Sequence, residues 1–362
     1  MLRLTAPLLL VLALSACTGD SDFRPFASGN DTDLYAVVDS TSWEGAIGEA
    51  VRETAGGTVR TLPAPESRYT TIAGAVSTED RWEEVRSNKN IVVAAPFTDS
   101  TFEASIVRAF FSDAVRAELR QSGQGAVVVR PDVWRRGQTV VFATGPTDQS
   151  VADALRQSDD RIDRGLERGT RSIMQRDMFD RGRQQNLEDT LMAQHDFAVN
   201  VQHDFFIARS EPGFVWLRRV LTNTWRNVFV YYEDDFDPTR LTPEFARSLR
   251  DSLTAVHMEG SQGGQIEIDE RLPFEISEID FNGRYALELR GVWAMFSENA
   301  DGRRFPTMAG PFVTYVFYDE GQRRLYLIDG MVFAPNNPKL PFLRQVEVIA
   351  QTFRTAQPAP AS

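Results

Sequence analysis

The sequence predicts an α+β fold, with two related ferredoxin-like halves that contain antiparallel sheets and are joined by a long charged helical segment. Strand-type and helix-type runs between residues 34 and 129 follow the order βαββαβ, which is typical of a ferredoxin-like unit. Part of this pattern returns about 137 residues later. Residues 148–194, between the halves, combine high charge with helical periodicity.

The N-terminal α+β domain is predicted over residues 34–147. Its expected elements, in order, are strand 34–38, helix 43–54, strands 69–76 and 90–95, helix 101–119, and strands 126–129 and 139–143. Residues 39–42 offer N-cap side chains for the first helix, and the glycine pair 56–57 ends it. The second helix is predicted from apolar residues spaced by four from Phe102 to Phe110.

The charged helical connector is predicted over residues 148–194. It has a narrow apolar stripe, formed by Val151, Leu155, Ile162, Leu166 and Ile173. Acidic residues precede basic ones by four positions, as in Glu167 and Arg171, which is the favourable direction on a helix surface. We interpret the segment as a solvated helix or helix pair packed by one stripe, and an interaction helix for a partner is the alternative.

The C-terminal α+β domain is predicted over residues 195–355. The strand at 227–230, with its acidic turn and following helix, repeats the segment that begins at 88. Pro212 and Gly213 occupy the positions that a type II turn favours, which predicts a hairpin between strands 197–208 and 214–220. Further strands are expected near 274–279, 285–296, 312–318 and 324–333, followed by a helix at 341–353 and a disordered tail at 356–362.

The N-terminus contains the parts of a secretory signal peptide. Arg3 precedes a short apolar run, and small residues lead to Cys17, the single cysteine of the chain. This arrangement resembles the lipobox of bacterial lipoproteins, which implies cleavage of residues 1–16 and acylation of Cys17. Two or three acyl chains anchor a protein stably to a membrane. Residues 17–33, rich in Ser, Asp and Gly, are expected to form a flexible tether.

The composition is that of an acidic globular chain. Its 362 residues are 42% hydrophobic and 10% aromatic, enough for two domains with their own cores. The formal charge of −12 disfavours electrostatic binding to nucleic acid or to an anionic membrane surface. With Cys17 acylated, no thiol remains for a disulfide or a soft-metal site.

Several motifs along nearly the whole mature chain carry a family resemblance. They include Asp39 with Trp43; Leu62-Pro63 with Glu66; Asp132-Val133-Trp134 with Gln138; Phe214-Val215-Trp216; Asn282-Gly283 with Tyr285, Glu288, Arg290 and Trp293; Gly310-Pro311-Phe312; and Phe333-Ala334-Pro335 with Lys339, Arg344 and Glu347. Together they resemble the envelope lipoproteins grouped as domain of unknown function 4837. That family has no assigned activity, substrate or cofactor, so the resemblance implies no particular chemistry. Ala309 replaces the glycine expected before Gly310, which makes a close backbone approach to a ligand less favourable.

The densest group of candidate binding residues lies near the C-terminus. It consists of Tyr285, Arg290, Trp293, Lys339 and Arg344. Aromatic and basic side chains together suit an anionic or glycan-like ligand. The structural alternative is that the aromatic residues belong to the core of a sheet, while the arginines form ion pairs with acids such as Glu347.

Other polar motifs give weaker signals. His195 and His203 stand eight residues apart, and on a strand both would project with apolar neighbours, so core or rim positions are favoured over a metal site. The acidic loop 233–237 lacks the spacing of a calcium-binding loop and is interpreted as solvated. We predict no catalytic residue, metal or cofactor from motifs, although the sequence leaves open a pair of catalytic carboxylates.

The sequence therefore predicts a membrane-anchored lipoprotein of the cell envelope. The outer membrane is favoured, and its periplasmic or surface face is left open. The preferred function is a non-enzymatic binding or assembly factor for an envelope glycan or protein partner, with no nucleic-acid partner. The alternative is an envelope hydrolase that acts on glycan or peptide through carboxylates.

Overall fold

The computed structural model describes residues 22–356, apart from residues 75, 77–78, 181, 259–263 and 300. The predicted signal peptide, Cys17 and the tail from residue 357 lie outside the described residues. Within the described ranges, none of the helices combines the length and hydrophobicity of a membrane span.

The first half alternates helices with short strands. In chain order its elements are β1 (Asp33–Val37), α1 (Ser40–Glu44), α2 (Ala46–Thr54), β2 (Thr58–Val59), β3 (Glu66–Ser67), β4 (Thr70–Ala73), α3 (Glu79–Arg86), β5 (Asn90–Pro96), α4 (Phe102–Phe110), α5 (Asp113–Ser122), β6 (Ala126–Pro131), β7 (Thr139–Gly145), α6 (Asp148–Gln157) and α7 (Asp159–Phe179). The main sheet has the strand order β4-β1-β5-β7-β6. Side chains of α2, α6 and α7 cover one face of this sheet, and those of α3 and α4 cover the other.

The α+β class is confirmed, but the strand directions of the first half differ from the expected antiparallel ferredoxin-like sheet. β4, β1, β5 and β7 run parallel to one another, and β6 alone in this sheet runs antiparallel, against β7. The sequence interpretation missed α3, in which Trp82 and Val85 are the only apolar residues. Because this helix separates β4 from β5, the chain can make the crossover that parallel strands require.

The second half is built on an antiparallel sheet, as predicted. Its elements are α8 (Gln185–His195), β8 (Phe197–Ala198), β9 (Phe206–Glu211), β10 (Phe214–Leu221), β11 (Thr224–Asp234), α9 (Pro243–His257), β12 (Gln265–Ile268), β13 (Glu275–Phe281), β14 (Arg284–Glu298), β15 (Arg304–Asp319), β16 (Arg324–Phe333), α10 (Leu340–Gln351) and β17 (Arg354–Thr355). The sheet order is β12-β14-β15-β16-β11-β10-β9, and β13 also pairs with β14. α10 packs on one face of the sheet and α9 on the other.

The two copies of the predicted repeat, at β5 and β11, are both largely buried strands followed by a helix. Their surroundings differ, because β5 lies between parallel neighbours and β11 between antiparallel ones. The predicted hairpin is present between β9 and β10, and Gly213 has a φ of 85° at its turn. The strand expected over 197–208 is divided into β8 and β9.

The segment predicted as a solvated connector belongs to the body of the molecule. α6 and α7 bury their apolar stripe against the first sheet. Two glycines let α7 approach that sheet closely: a Cβ added at Gly165 would lie 2.6 Å from Val129 Cγ1, and one at Gly169 would lie 1.9 Å from Thr139 Oγ1. α7 therefore lies directly on β6 and β7, and its outer sides are left for other contacts.

The described part of the predicted tether lies against the first half. Ala27 N donates to Arg136 O over 2.9 Å, and Arg136 N donates to Pro25 O over 3.0 Å. Asp31 accepts a hydrogen bond of 2.6 Å from Lys89 Nζ. The segment from Pro25 onward is thus held to the domain by backbone and ionic contacts, which a flexible tether would lack.

Candidate functional site

The predicted binding residues of β14 lie on opposite faces of the second sheet. Side chains alternate along a strand, so Tyr285 and Trp293 share one face while Arg290 projects from the other. Trp293 is buried on the α9 side, where its Nε1 donates to Val332 O over 3.2 Å. Tyr285 is 56% exposed. The five predicted residues therefore do not form one binding face.

Arg290 lies in a cluster of buried ion pairs. Its Nε is 2.8 Å from Glu288 Oε1, and its Nη1 is 2.6 Å from Glu347 Oε1. Glu347 and Arg344, one turn apart on α10, are each 1% exposed. Two of the five predicted residues, Arg290 and Arg344, are thus brought together, in the ion-paired interior that the structural alternative describes.

The first half completes this cluster through α7. Arg171 Nη2 lies 2.8 Å from Glu347 Oε2, and Arg344 Nε donates to Glu167 Oε2 over 3.2 Å. Glu167 and Arg171 are themselves 3.6 Å apart. We call the whole set the interface cluster: Glu167, Arg171, Glu288, Arg290, Arg344 and Glu347.

Lys339 belongs to the start of α10 and not to the interface cluster. Its Nζ donates to Asn337 O over 2.9 Å. The carboxylate of Glu66 accepts from Lys339 N at 2.7 Å and from Leu340 N at 3.0 Å. Glu66 therefore satisfies the free backbone N–H groups at this helix end, as a capping carboxylate does.

Two cavities open on the interface cluster, between α7 and the strands β13 and β14. Their volumes are about 490 and 620 Å³. Both are lined by Asp163, Glu167, Arg171, Glu288 and Arg290, and we call their combined space the interdomain cleft. Arginines and carboxylates are equal in number in each lining. The cleft is therefore strongly polar but close to neutral.

Tyr315 brings a buried hydroxyl to the cleft. It lies on β15 opposite Glu288, is 1% exposed, and stacks on Phe281 with ring centroids 4.6 Å apart. Its Oη has no hydrogen-bond partner among the described residues. Burial, together with the nearby carboxylates of Glu347 and Glu288, raises the pKa of Tyr315 well above its ordinary value. The hydroxyl therefore stays protonated and able to donate.

The arginines keep Glu347 ionised in spite of its burial. Burial opposes ionisation, but the charges of Arg171 and Arg290 overcome this effect and lower the pKa of Glu347 to about 2. Burial raises the pKa of Asp163, which forms an ion pair of 3.0 Å with Arg68. Each of these carboxylates thus faces a guanidinium group, which suits binding and structure better than proton transfer.

Of the other predicted polar motifs, His203 is exposed, whereas His195 and the acidic loop have structural partners. His195 is the last residue of α8, so the alternation of side chains along a strand does not apply to it. It is buried, and its Nε2 lies 2.9 Å from Ser210 Oγ. In the acidic loop, Asp234 pairs with Arg324 at 2.6 Å. Across the described residues, no group of three or more His, Cys, Asp or Glu side chains converges to hold a metal ion.

Sequence reasoning missed Glu167, Arg171 and Tyr315 as members of the site. The pairing of Glu167 with Arg171 was predicted, but for a helix surface, whereas both residues also pair with charged residues of α10. Strand alternation along β14 was a usable signal, because it separates Arg290 from Trp293. No sequence pattern indicates that α7 meets α10.

Two family models match the chain, one in each half. Residues 184–352 match Domain of unknown function (DUF4837), and residues 27–179 match Domain of unknown function (DUF8532). A DUF4837 domain is therefore present, which confirms that part of the resemblance. It covers the second half only, whereas the sequence interpretation extended it over nearly the whole mature chain. The interface cluster takes Glu167 and Arg171 from the first matched region and its other residues from the second.

Solved structures show distant similarity to this chain. The Ran-binding protein Mog1p of Saccharomyces cerevisiae matches with a TM-score of 0.31 and 10% identity, over 45% of this chain and 91% of its own. A protein from Bacteroides thetaiotaomicron matches with a TM-score of 0.24 and 7% identity, over 44% of this chain and 45% of its own. No curated protein matches the chain.

Proposed function

We propose that this chain is a lipid-anchored binding protein of the cell envelope whose ligand is a polar, uncharged glycan held in the interdomain cleft. The Tyr315 hydroxyl carries the proposal, because it is buried at the cleft without a protein partner. An unsatisfied buried hydroxyl costs about 1–3 kcal/mol. A hydroxyl or acetamido oxygen of a sugar would accept its hydrogen bond and remove that cost.

The charge balance of the cleft favours an uncharged ligand. Arginines and carboxylates line it in equal numbers, so an ionic ligand gains little net attraction. Sugar hydroxyls both donate and accept, and hydrogen bonds to charged groups are stronger than those between neutral groups. The two cavity volumes also lie within the range of about 300–1,000 Å³ that is usual for small-molecule sites.

Binding fits the interface cluster better than hydrolysis does. A glycosidase needs one carboxyl group with a raised pKa as the acid and a second carboxylate as nucleophile or base. Glu288, Glu347 and Glu167 each face an arginine, and the pKa of Glu347 is about 2. Glu347 is therefore held ionised and is not a proton donor near neutral pH. Asp163, the cleft carboxyl whose pKa is raised by burial, is ion-paired with Arg68 at 3.0 Å.

The ligand proposal is tested by titration calorimetry of the mature chain with an uncharged N-acetylglucosamine tetramer. Tyr315→Phe removes the hydroxyl alone; we expect binding at least tenfold weaker, about 1.4 kcal/mol, with no loss of thermal stability. Tyr285→Phe, on the opposite face of the sheet, is the matched control and should bind normally. No binding of the tetramer, or equal binding by Tyr315→Phe, would contradict the proposal.

The envelope proposal depends on Cys17, which the lipobox resemblance identifies as the acylation site. Cys17→Ser should move the protein from the membrane fraction to the soluble envelope fraction at physiological salt, with its fold unchanged. Fractionation followed by a thermal melt measures both properties. A Cys17→Ser protein that stays firmly on the membrane would refute the lipid anchor.

A further inference from the structure

A basic groove lies between α7 and the edge strand β6, on a chain whose formal charge is −12. Its volume is about 810 Å³. Six arginines and two aspartates line it: Arg130, Arg136, Arg161, Arg164, Arg168 and Arg176, with Asp22 and Asp132. We call this surface the arginine face. It is a concentrated positive patch on an acidic protein.

Three arginines of this face form no ion pair in the described ranges, although two of them also line the larger cavity of the interdomain cleft. Arg130, Arg164 and Arg168 are exposed, and none of them forms an ion pair with any residue that the structure describes. Arg164 and Arg168 stand one turn apart on α7, so they project to the same side of the helix. Their charge is available to an anionic surface.

Exposed aromatic residues border the arginine face. Phe23 is 91% exposed and Phe26 is 47% exposed. The ring of Phe26 lies between two guanidinium groups, 3.9 Å from Arg136 and 4.0 Å from Arg176. Aromatic side chains beside basic ones are typical of protein surfaces that lie at a membrane–water interface.

The arginine face also lies next to the proposed anchor. Asp22 lines the groove, and it follows Cys17 by five positions in the sequence. Five extended residues span at most about 18 Å. An acylated Cys17 therefore keeps the arginine face, rather than another side of the protein, close to the lipid head groups.

We propose that the arginine face docks on anionic phospholipid head groups of the membrane in which the Cys17 lipid inserts. The inference rests on the proposed lipid anchor. Each arginine near an anionic membrane surface contributes about 1 kcal/mol, while the rest of this acidic chain is repelled. The expectation that the chain avoids anionic membranes thus applies to its average charge and not to this face. The docked protein has one fixed orientation.

The test uses the mature chain with Cys17→Ser, so that no acyl chain contributes to binding. At about 20 mM salt, where screening is weak, it should sediment with phosphatidylglycerol-containing vesicles and not with pure phosphatidylcholine vesicles. Adding Arg164→Gln and Arg168→Gln should weaken this binding about 30-fold, because each arginine near the surface contributes about 1 kcal/mol to binding. Adding Arg303→Gln and Arg323→Gln instead, two exposed arginines in turns of the second half, is the matched control.

Equal binding by the two double variants would overturn the proposal. Binding to soluble polyglutamate but not to vesicles would also overturn it, and would assign the face to an acidic protein partner. The lipid anchor is tested separately, by fractionation of full-length Cys17→Ser at physiological salt. A variant that stays firmly on the membrane would refute the anchor. Vesicle sedimentation therefore tests the arginine face, and membrane fractionation tests the lipid anchor, so either proposal can fail without the other.

Discussion

Two sets of charged residues on the same helix, α7, behave in opposite ways. On the side toward the second half, Glu167 and Arg171 join the interface cluster with Arg344 and Glu347, both nearly inaccessible to solvent. Arg168 and Arg164, one and two turns before Arg171, are exposed and have no ion-pair partner among the described residues. A spacing of seven residues puts Arg164 and Arg171 on the same side of α7, so the neighbouring chain, and not the helix period, decides what each arginine does.

The physical reason is the cost of removing a charge from water. A buried guanidinium needs a carboxylate and further hydrogen bonds to offset its desolvation, and losing one partner leaves the other charge uncompensated. An exposed guanidinium keeps its hydration and contributes little to folding. The interface cluster should therefore govern stability, while the arginine face should govern binding to surfaces.

The largest expected effect is that of Glu347→Ala. Removing this carboxylate leaves Arg171 and Arg290 without their shared partner, and we expect a loss of about 3–5 kcal/mol in the free energy of unfolding. Urea denaturation measures it. Glu320→Ala, which removes an exposed carboxylate, should change stability by less than about 0.5 kcal/mol. A Glu347→Ala protein as stable as this control would show that the cluster is not a stabilising element.

Acid should weaken the cluster through the same residue. The folded pKa of Glu347 is about 2, below its usual 4.5, so its stabilisation is present above pH 4.5 and is lost as pH falls toward 2. The shift corresponds to about 3 kcal/mol. Between pH 5 and pH 2, the native chain should therefore lose about 3 kcal/mol more stability than Glu347→Gln, whose residue 347 is uncharged throughout. Parallel pH profiles would contradict this assignment.

A smaller effect is expected where α7 meets its sheet. Gly169→Ala places a methyl group 1.9 Å from Thr139 Oγ1, so the helix or the threonine must shift. Overpacking of this kind costs about 1–3 kcal/mol. Thermal unfolding should show the loss, with Ser172→Ala, on the exposed side of α7, as control. An unchanged melting temperature would mean that the threonine side chain alone rotates away.

The smallest effect on stability should come from the arginine face. Arg164→Gln together with Arg168→Gln should change the free energy of unfolding by less than about 0.5 kcal/mol, because neither residue has an ion pair to lose. The same urea experiment measures it. A loss above about 1 kcal/mol would break the contrast between these two sets of charged residues on α7.

Local sequence patterns identified most of the strands and helices of the second half. The predicted strand at 324–333 coincides with β16, and the predicted helix at 341–353 overlaps α10 closely. Pro212 and Gly213 located the hairpin. Patterns of this kind succeed because periodicity and turn chemistry are properties of neighbouring residues.

The candidate site was predicted only in part. Arg290, Arg344 and Glu347 were singled out, together with the possibility that they form ion pairs. Trp293 and Tyr285 were placed with Arg290 although alternation along a single strand assigns them to the other face. Lys339 was included as a basic residue near Arg344 in the sequence, but its contacts place it at the start of α10, outside the interface cluster.

By itself, the sequence determined the α+β class, the acidic charge, the antiparallel second half, and the identity of several residues in the site. Tertiary structure decided the strand directions of the first half and the meeting of α7 with α10, which joins Glu167 to Arg344. It also decided that Arg171 of α7 is ion-paired with Glu347 while Arg164, seven residues earlier, is exposed without an ion pair in the described part of the chain. These features depend on contacts between segments far apart in the chain, and periodicity along one segment carries no record of which distant segment will pack against it.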